Sequence, residues 1–570
     1  MSAYGLRPTT SDVLVIGSGA GGLAAAVAAA HFGARVTVLE KEPVLGGTTA
    51  WSGGWIWAPR NPLAQEAGII EAAEVPRAYL RAALDWSADA ERLEAFLAAA
   101  PEMVAFFRDH TALQFIGGDA IADMYGDLPG AGTGGRSVCA APFDGRELGK
   151  YLKLLRRPLA ETAFWGMGIA SGADLGHFMA AARRWRSAAY VARRLQRHIR
   201  DVVFHGRGQR LVNGNALVAR LLKSALDLGV TVLPGHRVTQ LLLESDRVSG
   251  VSYICPNART GRLYARRGVV LACGGFPWDE TLRQALFPHT PSGAEHWSVA
   301  PDGNTGDGIR MAREIGARFR DDLSAPGAWV PVSMVRRRDG SHHPFPHFID
   351  RAKPGLIAVR ADGKRFVNEA DGYHDVLRML LETTPHGEQP EAWLICDHRF
   401  IRRYGLGHAR PAPVPLGRHL RDGYLQRGAT IAELAQVCGI DPHGLSEALN
   451  GYNPAAREGH DPAFRRGESP FNRAGGDPEQ RPNPCVAPLE TPPFYAVRVV
   501  PGSMGTFSGL QTDALARVLC KDGSPMKGLH AAGADMASIF GGAYPAGGIN
   551  LGPAMTFGFV AGRHLGRMLQ

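Results

Sequence analysis

Gly17-Ser18-Gly19-Ala20-Gly21-Gly22 and the acid Glu40 form the first grouping whose residue types and spacing imply chemistry. Glycines in this pattern let a backbone turn sharply and bring a pyrophosphate against N–H groups at a helix start. An acid further on accepts hydrogen bonds from a ribose hydroxyl. In this scheme Gly17 makes the turn, Gly19 and Ala20 meet the phosphates, Gly22 lets helix pack on strand, and Glu40 with Lys41 forms the ribose end. An acid at 40 with no arginine beside it disfavours a 2′-phosphate. The ligand implied is an adenine dinucleotide.

The elements needed to position these residues follow from the flanking pattern. Residues 12–16 are a β-branched run suited to a buried parallel strand, 23 to about 32 an alanine-rich helix stopped by Gly33, and 35–39 a second strand. Gly47, Thr48, Thr49, Ser52, Gly53 and Gly54 come next, a loop of small residues, hydroxyls and backbone amides that resembles the flavoprotein pattern along a pyrophosphate and ribityl chain. A later strand ends in Gly274-Gly275, another near the C-terminus ends at Asp535, and Val238 sits where such proteins pass the adenine. The fold class expected is α/β, with a discontinuous Rossmann-like FAD-binding domain over residues 1–278 and 490–570. An α+β catalytic or substrate domain is inserted at 279–489.

The 570 residues include 71 glycines and carry a net charge of +9. That charge is accounted for by a solvated basic surface and gives no ground for a nucleic-acid partner. Seven scattered cysteines with no Cys-x-x-Cys pair read as buried thiols of a reducing compartment, without disulfide framework or metal cluster, so a cytoplasmic protein is expected. Residues 13–32 follow Asp12 and are interrupted by glycines, which suits strand plus helix better than a signal or a span. Residues 150–205 are expected to be helical, with Arg183, Arg184, Arg186, Arg193, Arg194, Arg197 and Arg200 interleaved with Trp185, Tyr190, Val191, Leu195 and Ile199. Such a helix suits a solvated face or peripheral contact with an anionic membrane at the cytoplasmic side, where a lipophilic substrate and a quinone would meet it. His342, His343 and His347 read as a surface loop, because Pro344 and Pro346 break the spacing and no acid adjoins them; no metal site is expected.

Residues 536–558, including Gly541-Gly542-Ala543-Tyr544-Pro545-Ala546-Gly547-Gly548, carry a more specific likeness. With the 46–54 loop, Arg365-Phe366-Val367-Asn368-Glu369 followed by Tyr373, and residues 512–519, they resemble the 3-ketosteroid 1-dehydrogenase family. That family lies within the fumarate reductase and succinate dehydrogenase flavoprotein group. The resemblance implies a noncovalent FAD and introduction of a C=C bond next to a ring ketone, in a 3-ketosteroid or a smaller cyclic ketone. It assigns Tyr544 and the Gly548 N–H to polarising the carbonyl, Tyr373 to taking the α-proton, and flavin N5 to accepting the β-hydride. It assigns Asp535 to the ribityl hydroxyls and Gly548, Asn550 and Leu551 to the flavin. A supporting tyrosine corresponds to Tyr125, or Met124 stands in that position. Without a second dinucleotide fingerprint, electrons leave to a separate acceptor such as a quinone. A fumarate or succinate type dicarboxylate oxidoreductase, with Arg351 on a carboxylate, is the alternative; a flavin-binding protein without turnover is the second.

Overall fold

The computed structural model describes residues 10–568. The end residues 1–9 and 569–570 of the expected flavin unit lie outside the described residues. Strand β1 (Thr10–Ile16) pairs in parallel with β2 (Val36–Glu40) on one side and with β3 (Thr260–Leu271) on the other. Residues 13–15 of β1 are fully buried, as expected of a parallel strand covered on both faces. Helix α1 (Ala20–His31) starts three residues earlier than its alanine run suggests, because Gly19 supplies the extended N-cap.

The stretch from 150 to 205 is not continuous helix. A 3₁₀ segment, Gly145–Leu154, is followed by irregular chain and then by α2 (Ala173–Ala180) and α3 (Trp185–His205). Pro158 removes a donor, and Gly166 and Gly172 take positive φ, conditions under which a helix does not propagate. Helix α3 also turns an unexpected side inward. Its buried residues are Ser187, Arg194, His198 and Asp201, with Arg194 3.3 Å from Asp174, while Val203 and Phe204 are more than 70% exposed.

The second sheet is antiparallel except for Trp297–Ser298, which pairs in parallel with its long strand, and it is central to the molecule's other half. Strand β4 (Gly327–Arg336) pairs with β5 (His342–Pro346) and with the long β6 (Phe494–Thr506). Ala392–Cys396 and Leu356–Val359 extend it beyond β6. Thus β6, within the residues assigned from sequence to the flavin unit, lies in the second sheet; its near-continuous burial suits a central strand. Helix α4 (Tyr373–Thr383) packs on β4. The chain then returns as β7 (Pro525–Ala531), parallel to β3, and ends in α5 (Leu551–Arg567).

Helices α1 and α5 approach backbone to backbone. A Cβ on Gly558 would lie 2.4 Å from the Gly21 oxygen, and one on Gly562 would lie 2.3 Å from the Ala25 oxygen. The small-residue composition of α1 therefore serves packing, clamping the helix whose N-terminus faces the cavity.

Two expectations about side chains change. His342–Pro346 is strand, not loop, and His347 is buried, its Nδ1 2.7 Å from Asp350 and its Nε2 2.8 Å from the Ser333 hydroxyl. The acid missing from the immediate sequence is supplied by the turn at Asp350–Ala352, which folds back. The seven cysteines are free thiols, but only Cys139, Cys396 and Cys485 are buried. No described helix is long and apolar enough to cross a membrane.

Candidate active site

A cavity of about 1210 Å³ runs between the two sheets, beyond the roughly 300–1,000 Å³ of an ordinary small-molecule pocket. Its nucleotide end is built from the glycine loop. Gly17 takes φ +107°, and a Cβ there would lie 2.1 Å from the Ala272 oxygen; Gly22 is pressed equally closely against the Gly17 oxygen. Gly19 differs: a Cβ would meet only the Thr49 hydroxyl, at 3.6 Å, leaving its cavity side open. The Ala20 N–H donates to that hydroxyl at 3.0 Å.

Glu40 lines the cavity and also staples it together. Its Oε2 accepts from the Ser18 N–H at 3.0 Å and the Ser18 hydroxyl at 2.6 Å, and its Oε1 accepts from the Glu42 N–H at 3.0 Å. A carboxylate has about four acceptor sites, so capacity for a ligand hydroxyl remains. Lys41 is held by Asp307 at 2.7 Å and by the Thr305 hydroxyl at 3.0 Å. Gly47, Thr48, Thr49, Ser52, Gly53, Gly54, Val238, Gly274, Asn550 and Leu551 all line the same cavity.

Asp535 does not. It is fully buried, its two oxygens accepting from the Cys273 N–H at 2.6 Å and the Gly275 N–H at 3.0 Å, so it shapes the 273–275 turn from behind. Burial pushes its carboxyl pKa up, against the pull of those N–H donors. Gly22 and Gly275 likewise stand behind the wall. The residues that sequence reasoning missed are Asn304 and Asp307, from a glycine-rich stretch that reads only as turns. Asn304 Nδ2 donates to the Thr48 hydroxyl and the Gly274 oxygen, both at 3.1 Å, joining loops more than 200 residues apart.

At the other end two phenols meet. Tyr373 opens α4, and its ring lies edge-on to that of Tyr544, centroids 5.0 Å apart. The Tyr544 oxygen also accepts from Asn550 Nδ2 at 3.5 Å. Burial pushes the Tyr544 phenol up to about 12 and lifts that of Tyr373 well above its ordinary value. Gly548, at φ +103°, presents its backbone to the same wall and is fixed by the Trp57 N–H on its carbonyl at 3.1 Å. The Tyr79 hydroxyl and the Met124 N–H hold the Pro545 carbonyl, and the Ser137 hydroxyl holds that of Gly547.

Tyr125 is not brought to Tyr373. Its hydroxyl accepts from the Tyr544 N–H at 3.3 Å and donates to Asp375 at 3.4 Å, and it is Met124 that lines the cavity.

The Arg365–Glu369 motif acts as an anchor for Tyr373. Glu369 is buried between Arg365 and Arg466, 2.7 and 3.1 Å away, and Arg365 also reaches Asp461 at 2.7 Å. Burial works against the Glu369 charge, but the two guanidiniums win and hold its pKa below the ordinary value. Arg351 donates to the carbonyls of His347, Glu369 and Asp371, fixing the chain that enters α4. Its charge lowers the phenol of Tyr373, opposing the larger effect of burial.

Residues 12–551 match the family model described as FAD binding domain. The chain is 38% identical over 558 residues to 4-oxocyclohex-2-ene-1-carboxylate 5-dehydrogenase of Sinomonas cyclohexanicum, covering 98% of this chain and 94% of that protein. It is 35% identical over 566 residues to 3-oxosteroid 1-dehydrogenase of Mycobacterium tuberculosis, covering 97% of this chain and 98% of that protein. The solved 3-ketosteroid delta1-dehydrogenase of Sterolibacterium denitrificans, in complex with 1,4-androstadiene-3,17-dione, matches with a TM-score of 0.90 at 36% identity, covering 98% of this chain and 99% of that one. The cofactor is FAD, and the residues fit it. The open side of Gly19 admits a phosphate at the α1 N-terminus, and Arg156, on the cavity wall, has buried Nε and Nη2 atoms that make no hydrogen bond, Nη2 being 3.6 Å from the Glu42 carboxylate.

Proposed function

This chain belongs to the FAD-binding flavoprotein family that includes the 3-oxosteroid 1-dehydrogenases, and on that premise we propose that it introduces a C=C bond α,β to the carbonyl of a ring ketone. A 3-ketosteroid desaturated at C1–C2 is the first substrate class, and a smaller cyclic ketone the second. The observation that carries the reading is the packing of the Tyr373 and Tyr544 rings, centroids 5.0 Å apart, beside Gly548 on one cavity wall.

Removing hydrogen next to a carbonyl needs a base for the α-proton, donors for the enolate oxygen and an acceptor for the β-hydride. FAD, when bound, supplies the hydride acceptor. Tyr544 O–H and Gly548 N–H are the donors, and the hydrogen bond that the Tyr544 oxygen receives from Asn550 makes its own proton a better donor. Tyr373 takes the α-proton. Its buried phenol is neutral at neutral pH but yields a strong base once ionised, and Arg351 favours that ionised form. The α-proton goes to the phenolate of Tyr373, formed once that phenol has released its own proton to solvent through the cavity it lines, and the β-hydrogen leaves with its electron pair as the hydride that a bound FAD would accept. Tyr125 and Asp535 enter as positioning residues, for the 544 loop and the 273–275 turn.

Arg351, the residue a dicarboxylate enzyme would aim at its substrate, is instead committed to three backbone carbonyls. Residues 1–278 and 490–570 are proposed as the flavin unit and 279–489 as the substrate unit. A separate acceptor such as a quinone reoxidises the enzyme, which works in the cytoplasm and at a membrane surface. The exposed Trp185, Ile199, Val203 and Phe204 of α3, beside Arg193, Arg197 and Arg200, support that contact.

Anaerobic mixing of the holoenzyme with 4-androstene-3,17-dione or a 4-oxocyclohexane carboxylate tests the reading. Bleaching of the flavin visible band by either is expected. No bleaching by any ring ketone, with reoxidation of the dithionite-reduced enzyme by fumarate, would overturn it.

A further inference from the structure

Four arginines line the cavity, and they differ in what answers their charge. Arg156 lies 3.6 Å from Glu42 and Arg237 3.6 Å from Asp307. Arg351 has its three carbonyls. Arg410 has one carbonyl, that of Ala163 at 2.8 Å, and the face of Phe164, 5.3 Å from the guanidinium. No described carboxylate forms an ion pair with it, and burial alone perturbs it.

An isolated guanidinium in an apolar wall is costly unless an anion meets it, and its planar fork suits a carboxylate. Its neighbours place it away from the nucleotide loops. Phe348 touches Tyr373, ring centroids 5.0 Å apart, and Phe345, three residues earlier, faces His408, two residues before Arg410, at 6.2 Å. An aromatic wall therefore leads from the phenol pair to Arg410. His408 and His419 nearby are driven toward the neutral form, chiefly by burial, and offer no competing cation.

We propose that Arg410 recognises a carboxylate carried on the substrate at the end remote from the ring ketone. The placement of the ketone rests on the ring-ketone reading above; the anion subsite itself is tested independently of turnover. The holoenzyme and its Arg410→Gln and Arg410→Lys variants would be titrated calorimetrically with 3-oxo-4-androstene-17β-carboxylic acid and with its methyl ester, and flavin reduction followed in parallel. The acid should bind about 10- to 100-fold more tightly than the ester in the wild type, as a charge-assisted contact implies. Arg410→Gln should lose that preference with ester binding and FAD content unchanged, and Arg410→Lys should keep part of it. Equal affinity for acid and ester in the wild type, or equal weakening of both in Arg410→Gln, overturns the proposal. An acid preference lost in Arg410→Gln without flavin reduction by either ligand upholds the subsite and instead refutes ketone dehydrogenation.

Discussion

Replacing Tyr544 by phenylalanine removes one oxygen from the site and leaves a ring of nearly the same shape. The ring is only 3% exposed and stays packed between Tyr373 and His374, its centroid 5.0 and 5.9 Å from theirs. One partner loses an acceptor, Asn550 Nδ2, so folding should weaken by about 1 kcal/mol. Transition-state stabilisation should weaken by more. One of two donors to the enolate oxygen is gone, and loss of such a donor costs about 3–4 kcal/mol, or roughly 10²–10³ in rate. The assay is the rate of flavin reduction after anaerobic mixing with a ring ketone, with FAD content read from the same spectra. Tyr544→Phe should retain FAD and slow reduction by about a hundredfold or more. Tyr373→Phe should also slow it, and the double variant should fall short of the product of the two effects, because the two rings are in contact and act on one ketone. Reduction by Tyr544→Phe within about threefold of wild type, under about 0.7 kcal/mol, would refute the assignment of the carbonyl to this hydroxyl.

Two further outcomes follow from the surroundings of the site. Burial, reinforced by Asp371, lifts the Asp375 carboxyl to about 6. A raised folded-state pKa gives stability that is full below the unfolded value and lost as pH rises through the folded one. Asp375→Asn should therefore melt higher than wild type at about pH 8, by up to about 3 kcal/mol, with the gap closing toward about pH 4; a gap constant across that range would contradict the shift. At the surface, vesicles containing anionic lipid should sediment the protein more than zwitterionic ones, and replacing Val203 and Phe204 by glutamate should abolish the difference. Equal sedimentation of the two proteins would remove α3 from any membrane contact.

Parts of the site were readable along the chain because backbone conformation itself was the requirement. Gly17 must turn at positive φ against the Ala272 oxygen, and Gly22 must carry no Cβ against Gly17, so these demands are written as residue types at fixed spacing. Glu40 falls at the end of its strand for the same local reason. Asp535 carries equally local cues of strand, turn and acid, yet its oxygens turn away to the amides of Cys273 and Gly275, partners 260 or more residues distant. Helix α3 shows a related limit. Its arginines suit a solvated or membrane-facing side, but the neighbouring surface offers Asp174 and the Trp165 carbonyl, so Arg194 and His198 turn inward while Val203 and Phe204 stay out.

The sequence by itself determined the dinucleotide-binding βαβ unit, the loops expected to follow a flavin, and the two tyrosines and glycine proposed to frame a carbonyl. Tertiary structure decided which of Met124 and Tyr125 faces the cavity, that Asn304 ties the Thr48 loop to Gly274, and that Arg410 stands without a counter-charge. Backbone turns and periodicity are local properties of a chain, whereas a hydrogen-bond partner, a missing counter-ion and a cavity wall exist only once distant segments are packed together.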